Sequence, residues 1–508
     1  MQELLPPLPP SPSLSPLPNR PASGRGGWWT RGLAFDEMAV GLLFIAVAVL
    51  ALFTPAQPDT FWHLRAGADI WRSGHVPRVD LYSHTAYGTP WPDHEWLSQL
   101  LMYAAYRTGR GMPGLEIGAA ILILAAAATV YKLMVGPRLT RFVLLTIGLS
   151  VASCAWSLRP QLLTLFLLAF LVWLLVHEHH LLIPPYFLFW ANAHGGVALG
   201  GVVLAVCTAA AVLRWWRTRA PDDRRRALTL AVVLPLAGLA VAATPLGFHI
   251  YLFVVSSAAR SYAVQIAEWF VLRPDSLFGL LFWAVTVAFA ILLVTRRRAI
   301  AAGDWADWAT VAAALALLPL GIRSARNIGP FLILAMPAAS HALGPTFRFR
   351  LSRRPPEPSP DHPRANLALF LGLGAAALAV VAVGWRAQPA ALYWNPISVG
   401  ALRALDACPG PLYNFYGDGG SLVWFAPMRR DFIDGRQDPF PFWLLRESFA
   451  VEHGAPYQPL FAKFGVRCAF VPAKSKLVDG LRGDGWRAQF NDPDWAVLAA
   501  PALKLPKR

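Results

Sequence analysis

The strongest constraint on this chain is a succession of apolar blocks close to membrane-span length, separated by short clusters of arginine. A helix needs roughly 20 residues to cross the hydrocarbon core of a bilayer. Such blocks fall at 37–54, 114–134, 142–157, 160–176, 181–194, 196–213, 228–246, 276–294, 306–322, 328–343 and 366–385. Eleven spans are expected from them; 181–194, which carries Pro184 and Pro185, is the weakest and reads as half of a bent pair lining a cavity. The predicted fold is an α-helical multi-pass membrane protein with a C-terminal α/β domain outside the bilayer. Only 15% of residues are charged, against about 25% in soluble domains, which excludes a soluble enzyme and a mainly disordered chain.

The formal charge of +16 invites a nucleic-acid partner, but its distribution answers that reading. With the N-terminus cytoplasmic, the inner loops carry Lys132, Arg138 and Arg141, six arginines from Arg214 to Arg226, Arg296 to Arg298, and Arg348, Arg350, Arg353 and Arg354. This is the positive-inside bias of a membrane protein, so the bilayer is the partner and nucleic acid is not. Fusing 181–194 with the next span would put the six-arginine loop outside, so both are kept. Residues 1–30, with LPPLPPSPSLSPLP, are expected to be a disordered Pro-rich cytoplasmic tail. Residues 31–385 then form the membrane domain, and 386–508 the outer domain.

Under this topology a loop at 55–113 also lies outside. It holds Asp59, His63, His94 and Glu95 among many aromatics, and stretches 60–73 and 95–107 read as amphipathic helices resting along the interface. Asp59, a few residues past the first span, sits where a carboxylate can reach both a lipid-borne group and a water-borne one. It is equally placed to cap the helix that follows. His94 and Glu95 could relay a proton or bind a divalent metal, although no HExxH pattern supports zinc hydrolysis.

Further polar groups gather at the predicted outer ends of spans: Arg159, then Asn192 and His194 in WANAHGG, TPLGFH at 244–249, Glu268-Trp269, and Arg323 with Arg326 and Asn327. Each has an ordinary anchoring explanation. Together they suit an anion, because a guanidinium matches two phosphate oxygens at once, and nearby Asp or His suits proton transfer. The set fits a site for an anionic lipid head group, and equally an anion transporter.

The blocks DTFWHLRAGADIWRSGHVPRVDLYSHTAYGTPWPDHEWL, RPQL, WANAHGG, TPLG, EW, RN, GGSLVW and DFIDGRQDPFP resemble a bacterial family of multi-pass inner-membrane proteins related to the GT-C glycosyltransferases. The resemblance implies transfer of a sugar from a polyprenyl-phosphate-linked donor to an envelope acceptor (lipid, glycan or protein) on the extracytoplasmic side. It implies Asp59 as general base and Arg159, Arg323 or Arg326 as donor-phosphate ligands. His63, His94, Glu95, Asn192, His194, Glu268 and Trp269 would bind or position the acceptor. No cofactor is certain. Some GT-C members use a divalent metal, but Asp59-Thr60 stands where many carry two adjacent acids, which counts against one here.

In the C-terminal part, SLVWF at 421–425 and CAFVP at 468–472 read as strands, and Asp434, Gly435 and Arg436 as an ordered turn. Cys408 and Cys468 are expected to pair only if this part is extracytoplasmic. GDGG lacks a dinucleotide spacing and a Walker lysine, so the domain reads as structural or acceptor-recognising. Two other functions stay open on the sequence: a transporter or flippase for a lipid-linked or anionic solute, and a non-catalytic envelope-assembly scaffold.

Overall fold

The computed structural model describes residues 32–91, 93–263, 266–348, 361–387 and 389–501. The Pro-rich segment 1–30 and the arginines at 350, 353 and 354 lie outside the described residues. All eleven apolar blocks are helical, as Phe35–Ala51, Met112–Leu133, Arg138–Ala152, Gln161–Val176, Ile183–Ala193, Val197–Thr218, Pro221–Val241, Leu277–Ala302, Trp305–Arg323, Ile328–Leu343 and Pro363–Ala387. Among the described residues, six are long and apolar enough to cross a membrane: Met112–Leu133, Arg138–Ala155 (continued by a short 3-10 turn), Val197–Thr218, Leu277–Ala302, Trp305–Arg323 and Pro363–Ala387. The others are shorter, or, like Pro221–Val241, begin with a charged turn.

Contacts between helix ends fall into two sets. At one end Arg138 pairs with Asp36 and Glu37 at 3.4 Å, His341 bonds Asp307 at 2.7 Å and the Leu133 carbonyl at 3.0 Å, and Arg226 pairs with Glu178 and Asp223. These are the arginine-rich ends. The opposite ends carry the 55–113 loop and the C-terminal part, tied by Ala56 N–H to the Leu392 carbonyl at 3.0 Å and by Trp394 Nε1 to Glu116 Oε1 at 3.1 Å.

The 55–113 loop forms two helices, Pro58–Ser73 and Trp96–Thr108. The first is covered by protein further round than its amphipathic pattern suggests. Thr60 to Leu64, Ala66 to Ala68 and Ile70 are buried, because protein covers both of its sides. A Cβ at Gly67 would lie 2.1 Å from the Gln99 carbonyl oxygen, and one at Gly420 would lie 2.3 Å from that of Pro58. These glycines allow three helices to touch backbone to backbone. A further helix, His249–Ala263, had no span-length signal in the sequence; Phe248, Leu252 and Val255 on it or beside it are exposed.

The C-terminal part holds a four-stranded sheet, order β1-β2-β4-β3, from Leu412–Asn414 (β1), Cys468–Pro472 (β2), Arg487–Asn491 (β3) and Trp495–Ala499 (β4). β1 and β2 run parallel, and the other pairs antiparallel. CAFVP is thus a strand, whereas SLVWF belongs to the helix Tyr416–Phe425. A short apolar run carries no period that separates the two states, and here contact with helix Pro58–Ser73 decides. Cys408 and Cys468 form a disulfide.

Asp434-Gly435-Arg436 is more than a turn. Arg436 is buried, with Nη1 donating to Asp80 at 2.6 Å and Nη2 to Asp434 at 2.5 Å, between the rings of Tyr82 and Trp91 at 4.8 and 4.7 Å. This ion cluster fastens the 55–113 loop to the C-terminal part.

Candidate active site

Asp59 lies in the first turn of helix Pro58–Ser73, not at its cap, which is Gln57. The cap position is satisfied locally, since Gln57 N–H donates to Thr60 Oγ1 at 3.0 Å. The Asp59 carboxylate is therefore free to point outward from the helix start. Its Oδ1 accepts from Trp62 Nε1 at 3.1 Å and its Oδ2 from Arg159 Nη1 at 2.9 Å.

Arg159 sits between the helix ending at Ala155 and the one starting at Gln161, where Pro160 fixes the turn. Its Nε donates to Ser157 Oγ at 3.0 Å and its Nη2 to Glu268 Oε2 at 2.8 Å. Glu268 Oε1 in turn accepts from Arg326 Nη1 at 2.8 Å. Asp59, Arg159, Glu268 and Arg326 thus form one alternating chain of charge, drawn from four distant parts of the sequence. Burial would raise the Glu268 carboxyl, but Arg326 and then Arg159 outweigh it and hold it at about 2. Burial likewise opposes charge on Arg159, and Glu268 and Asp59 overcome it.

Behind this chain, Glu95 is met by three imidazoles: His194 Nε2 at 3.4 Å, His94 Nε2 at 3.7 Å and His63 Nε2 at 3.8 Å. Burial pushes the Glu95 carboxyl up to about 8. Burial also lowers all three histidines, His94 to about 4, with Arg159 adding to the effect at His63 and Arg326 at His194. His194 Nδ1 accepts from Gly196 N–H at 3.0 Å and lies 2.7 Å from Thr164 Oγ1. With Nδ1 an acceptor, the ring proton sits on Nε2 and faces Glu95. That atom is a donor and not a metal ligand. Among the described residues no group of three or more His, Cys, Asp and Glu side chains is arranged to hold a metal ion, so no step is routed through one.

The remaining expected residues divide. Trp269 lies under Arg326, its ring 5.3 Å from the guanidinium. Arg323 is turned away, bonding Tyr262 Oη at 3.1 Å through Nε. Asn192 ties helix ends together, accepting from Trp96 Nε1 at 2.9 Å and donating to the Ala243 carbonyl at 2.9 Å. Gly435 was not expected at the site. A Cβ there would lie 1.9 Å from Asp59 Oδ1, so the 431–441 segment roofs the carboxylate. Tyr416 Oη donates to the Gly435 carbonyl at 3.2 Å; burial, and then the Asp59 charge, push its phenol well up and keep it protonated.

Two cavities meet this chain. The larger, about 220 Å³, runs between Ser98, Leu101, Met102 and Ala105 on one helix and Leu115, Gly118, Ala119 and Leu122 on the next, and ends on Arg159. Both quartets follow the i, i+3, i+4, i+7 spacing of a single helix face. The smaller, a narrow cleft with about 40 Å³ of room, ends on Arg326 and His194. Leu162 lines both.

No family model matches the sequence, and no curated protein matches it. Among solved structures the chain is similar to ArnT from Cupriavidus metallidurans bound to undecaprenyl phosphate, at 15% identity and a TM-score of 0.48, over 92% of this chain and 99% of that one. ArnT in the apo state gives 16% and 0.46 over the same shares. The Archaeoglobus fulgidus oligosaccharyltransferase in the apo form gives 10% and 0.36, over 85% of this chain and 70% of that one.

Proposed function

We propose that this protein transfers a sugar from a polyprenyl-phosphate donor to an acceptor hydroxyl at the outer face of a bacterial inner membrane. The observation that carries the reading is the junction at Arg159: an apolar groove between two helices ends on the guanidinium that holds Asp59. A polyprenyl tail would lie in the groove and place its phosphate on Arg159, with Arg326 next in line through Glu268. Asp59 would take the proton of the acceptor hydroxyl as its oxygen attacks the anomeric carbon. The bond from that carbon to the phosphate oxygen breaks, and the electron pair leaves on the phosphate, where the guanidiniums stabilise it. One displacement inverts the anomeric centre.

The topology we propose is eleven membrane passages, a cytoplasmic N-terminus, and an extracytoplasmic domain from about residue 386. The clustering of arginines at one set of helix ends supports this, as does the Cys408–Cys468 disulfide, since disulfides persist in oxidising compartments.

The test is a vesicle-reconstituted protein offered a panel of polyprenyl-phosphate sugars, with and without chelator. At least one donor should be consumed, chelator should have no effect, and Asp59→Asn should abolish consumption while the protein stays folded. An Asp59→Asn protein with wild-type turnover would remove Asp59 from the mechanism, and a panel left intact by the wild type would remove the reading.

A further inference from the structure

We infer that the joint between the 55–113 loop and the 431–441 segment is a latch held shut by protons, and that it opens as pH rises through neutrality. The joint is rich in acid and poor in base. Three carboxyls, Asp80, Asp431 and Asp434, surround the Arg436 guanidinium, and all four side chains are buried. Asp80 and Asp434 take the Arg436 donors. Among the described residues no N–H or O–H reaches either oxygen of Asp431; its carboxyl meets that of Asp434 instead. Two carboxyls in contact need a proton between them. Asp431 N–H donates to the Tyr82 carbonyl at 3.1 Å, and its carbonyl accepts from His84 N–H at 2.9 Å. The acid without a donor therefore sits on the seam itself.

The other charged groups near Asp431 are engaged elsewhere. On its own segment Arg429 donates to the Cys408 and Gly410 carbonyls, and Arg430 lies 3.6 Å from the Tyr87 ring centre. From the loop, Tyr82 gives its hydroxyl to Asp69 at 2.9 Å, and the His84 ring rests on the Leu412 carbonyl at 2.7 Å. Helix Tyr416–Phe425 presents Gly419, whose Cβ position lies 2.8 Å from Asp431 Oδ2, while its Asp418 faces Glu452. Burial and then Asp434 push the Asp431 carboxyl well above the usual range. A second pair of acids spans the same seam, Asp93 on the loop and Asp438 on the segment. Burial pushes both up to about 7; at Asp438, Arg260 opposes the rise and Asp93 adds to it. Glu95 beside them is raised to about 8, first by burial. Acids raised by folding lend stability that is full below their ordinary values, about 4, and is lost as pH climbs through the raised ones. Gly435 stands between Asp434 and Arg436 in the chain and against Asp59 in space, so opening the latch lifts the roof from Asp59. The inference stands whether or not the protein transfers sugar.

The test is hydrogen exchange by the full-length protein in vesicles, read as protection factors so that the base catalysis of exchange cancels. Backbone amides at 431–436 should lose protection at least about tenfold per unit between about pH 6 and 9, the dependence of an opening linked to one proton or more. Those of Cys468–Pro472, inside the sheet of the same part, should keep theirs. The double variant Asp431→Asn, Asp438→Asn preserves both shapes and removes two charges from the segment. Its protection at 431–436 should stay level across that range. Level protection in the wild type, an equal loss at Cys468–Pro472 (global unfolding in place of a latch), or a double variant that follows the wild-type slope overturns the inference. The wild-type series with its internal reference decides the question even where the variant fails to fold.

Discussion

Replacing Arg159 by glutamine should remove activity without unfolding the protein, and the structure fixes the size of both effects. The guanidinium makes two charge-assisted bonds, to Asp59 at 2.9 Å and Glu268 at 2.8 Å. Such bonds contribute about 1.5–3 kcal/mol each when shielded, and less as water reaches them. The two carboxylates are 29% exposed, so the low end applies, and the loss of stability is about 2–4 kcal/mol. Turnover should fall by roughly 10²–10³, as when one donor to a developing oxyanion is removed. Arg159→Lys keeps the charge but cannot reach both acids in the fork geometry, so it should fall in between. The assay is release of polyprenyl phosphate from a sugar-loaded donor in vesicles, with a thermal melt of each variant alongside. Arg159→Gln turning over within about threefold of wild type, far less than an oxyanion donor is worth, would refute the assignment of Arg159 to the phosphate.

Four further outcomes follow from the same structure. Glu268 is held at about 2, so its contribution to stability is present above the ordinary value near 4.5 and disappears as pH falls through about 2; the melting deficit of Glu268→Gln should close over that window. Glu95 is raised to about 8, so the wild type loses stability as pH climbs from about 4.5 to 8, and Glu95→Gln should gain relative to it across that range; paired melts at pH 5 and 8.5 check the sign. Gly118→Trp should fill the larger cavity, since a Cβ there already lies 3.5 Å from the Ala105 Cβ, raising the KM for the polyprenyl donor while leaving the melt intact. Arg436→Ala should leave Asp80 and Asp434 buried without a counter-charge and lower stability by about 3–5 kcal/mol, read by denaturation of the detergent-solubilised protein.

Much of this molecule is legible in the sequence because apolar length is a one-dimensional signal. The apolar blocks became helices, and the two helices of the 55–113 loop fell close to where their patterns end. The site is legible as a list of residues but not as a set of pairs. Arg323 and Arg326 are three residues apart and look equivalent. Ser324, extended at φ −146° and ψ 126°, breaks the helix between them, so that Arg326 meets Glu268 while Arg323 meets Tyr262. Asp59 and Arg159 are 100 positions apart, and only packing unites them. Helix His249–Ala263 has too few consecutive apolar residues to stand out. The role of Gly435 against Asp59 depends on an approach between parts of the chain that no local pattern records.

The resting charges suggest why Asp59 and Arg159 are partners at all. Two acids, Asp59 and Glu268, face two guanidiniums, Arg159 and Arg326, so the chain is neutral and tolerates its place beside hydrocarbon. In the proposed reaction the phosphate gains a negative charge as the sugar leaves it, while Asp59 becomes neutral by taking the acceptor proton. Protonated Asp59 holds Arg159 less tightly, so the guanidinium is released toward the phosphate as the phosphate needs it. Base and anion ligand are then coupled through one side chain. Asp59→Asn should mimic the protonated state: it removes turnover, yet polyprenyl phosphate should bind several-fold tighter than to the wild type, about 1 kcal/mol for the competing ion pair that is lost. Binding is measured by titrating a fluorescent polyprenyl phosphate into vesicles. Affinity unchanged or weakened in Asp59→Asn would mean that Asp59 and the phosphate do not compete for Arg159, and the coupling would have to be abandoned.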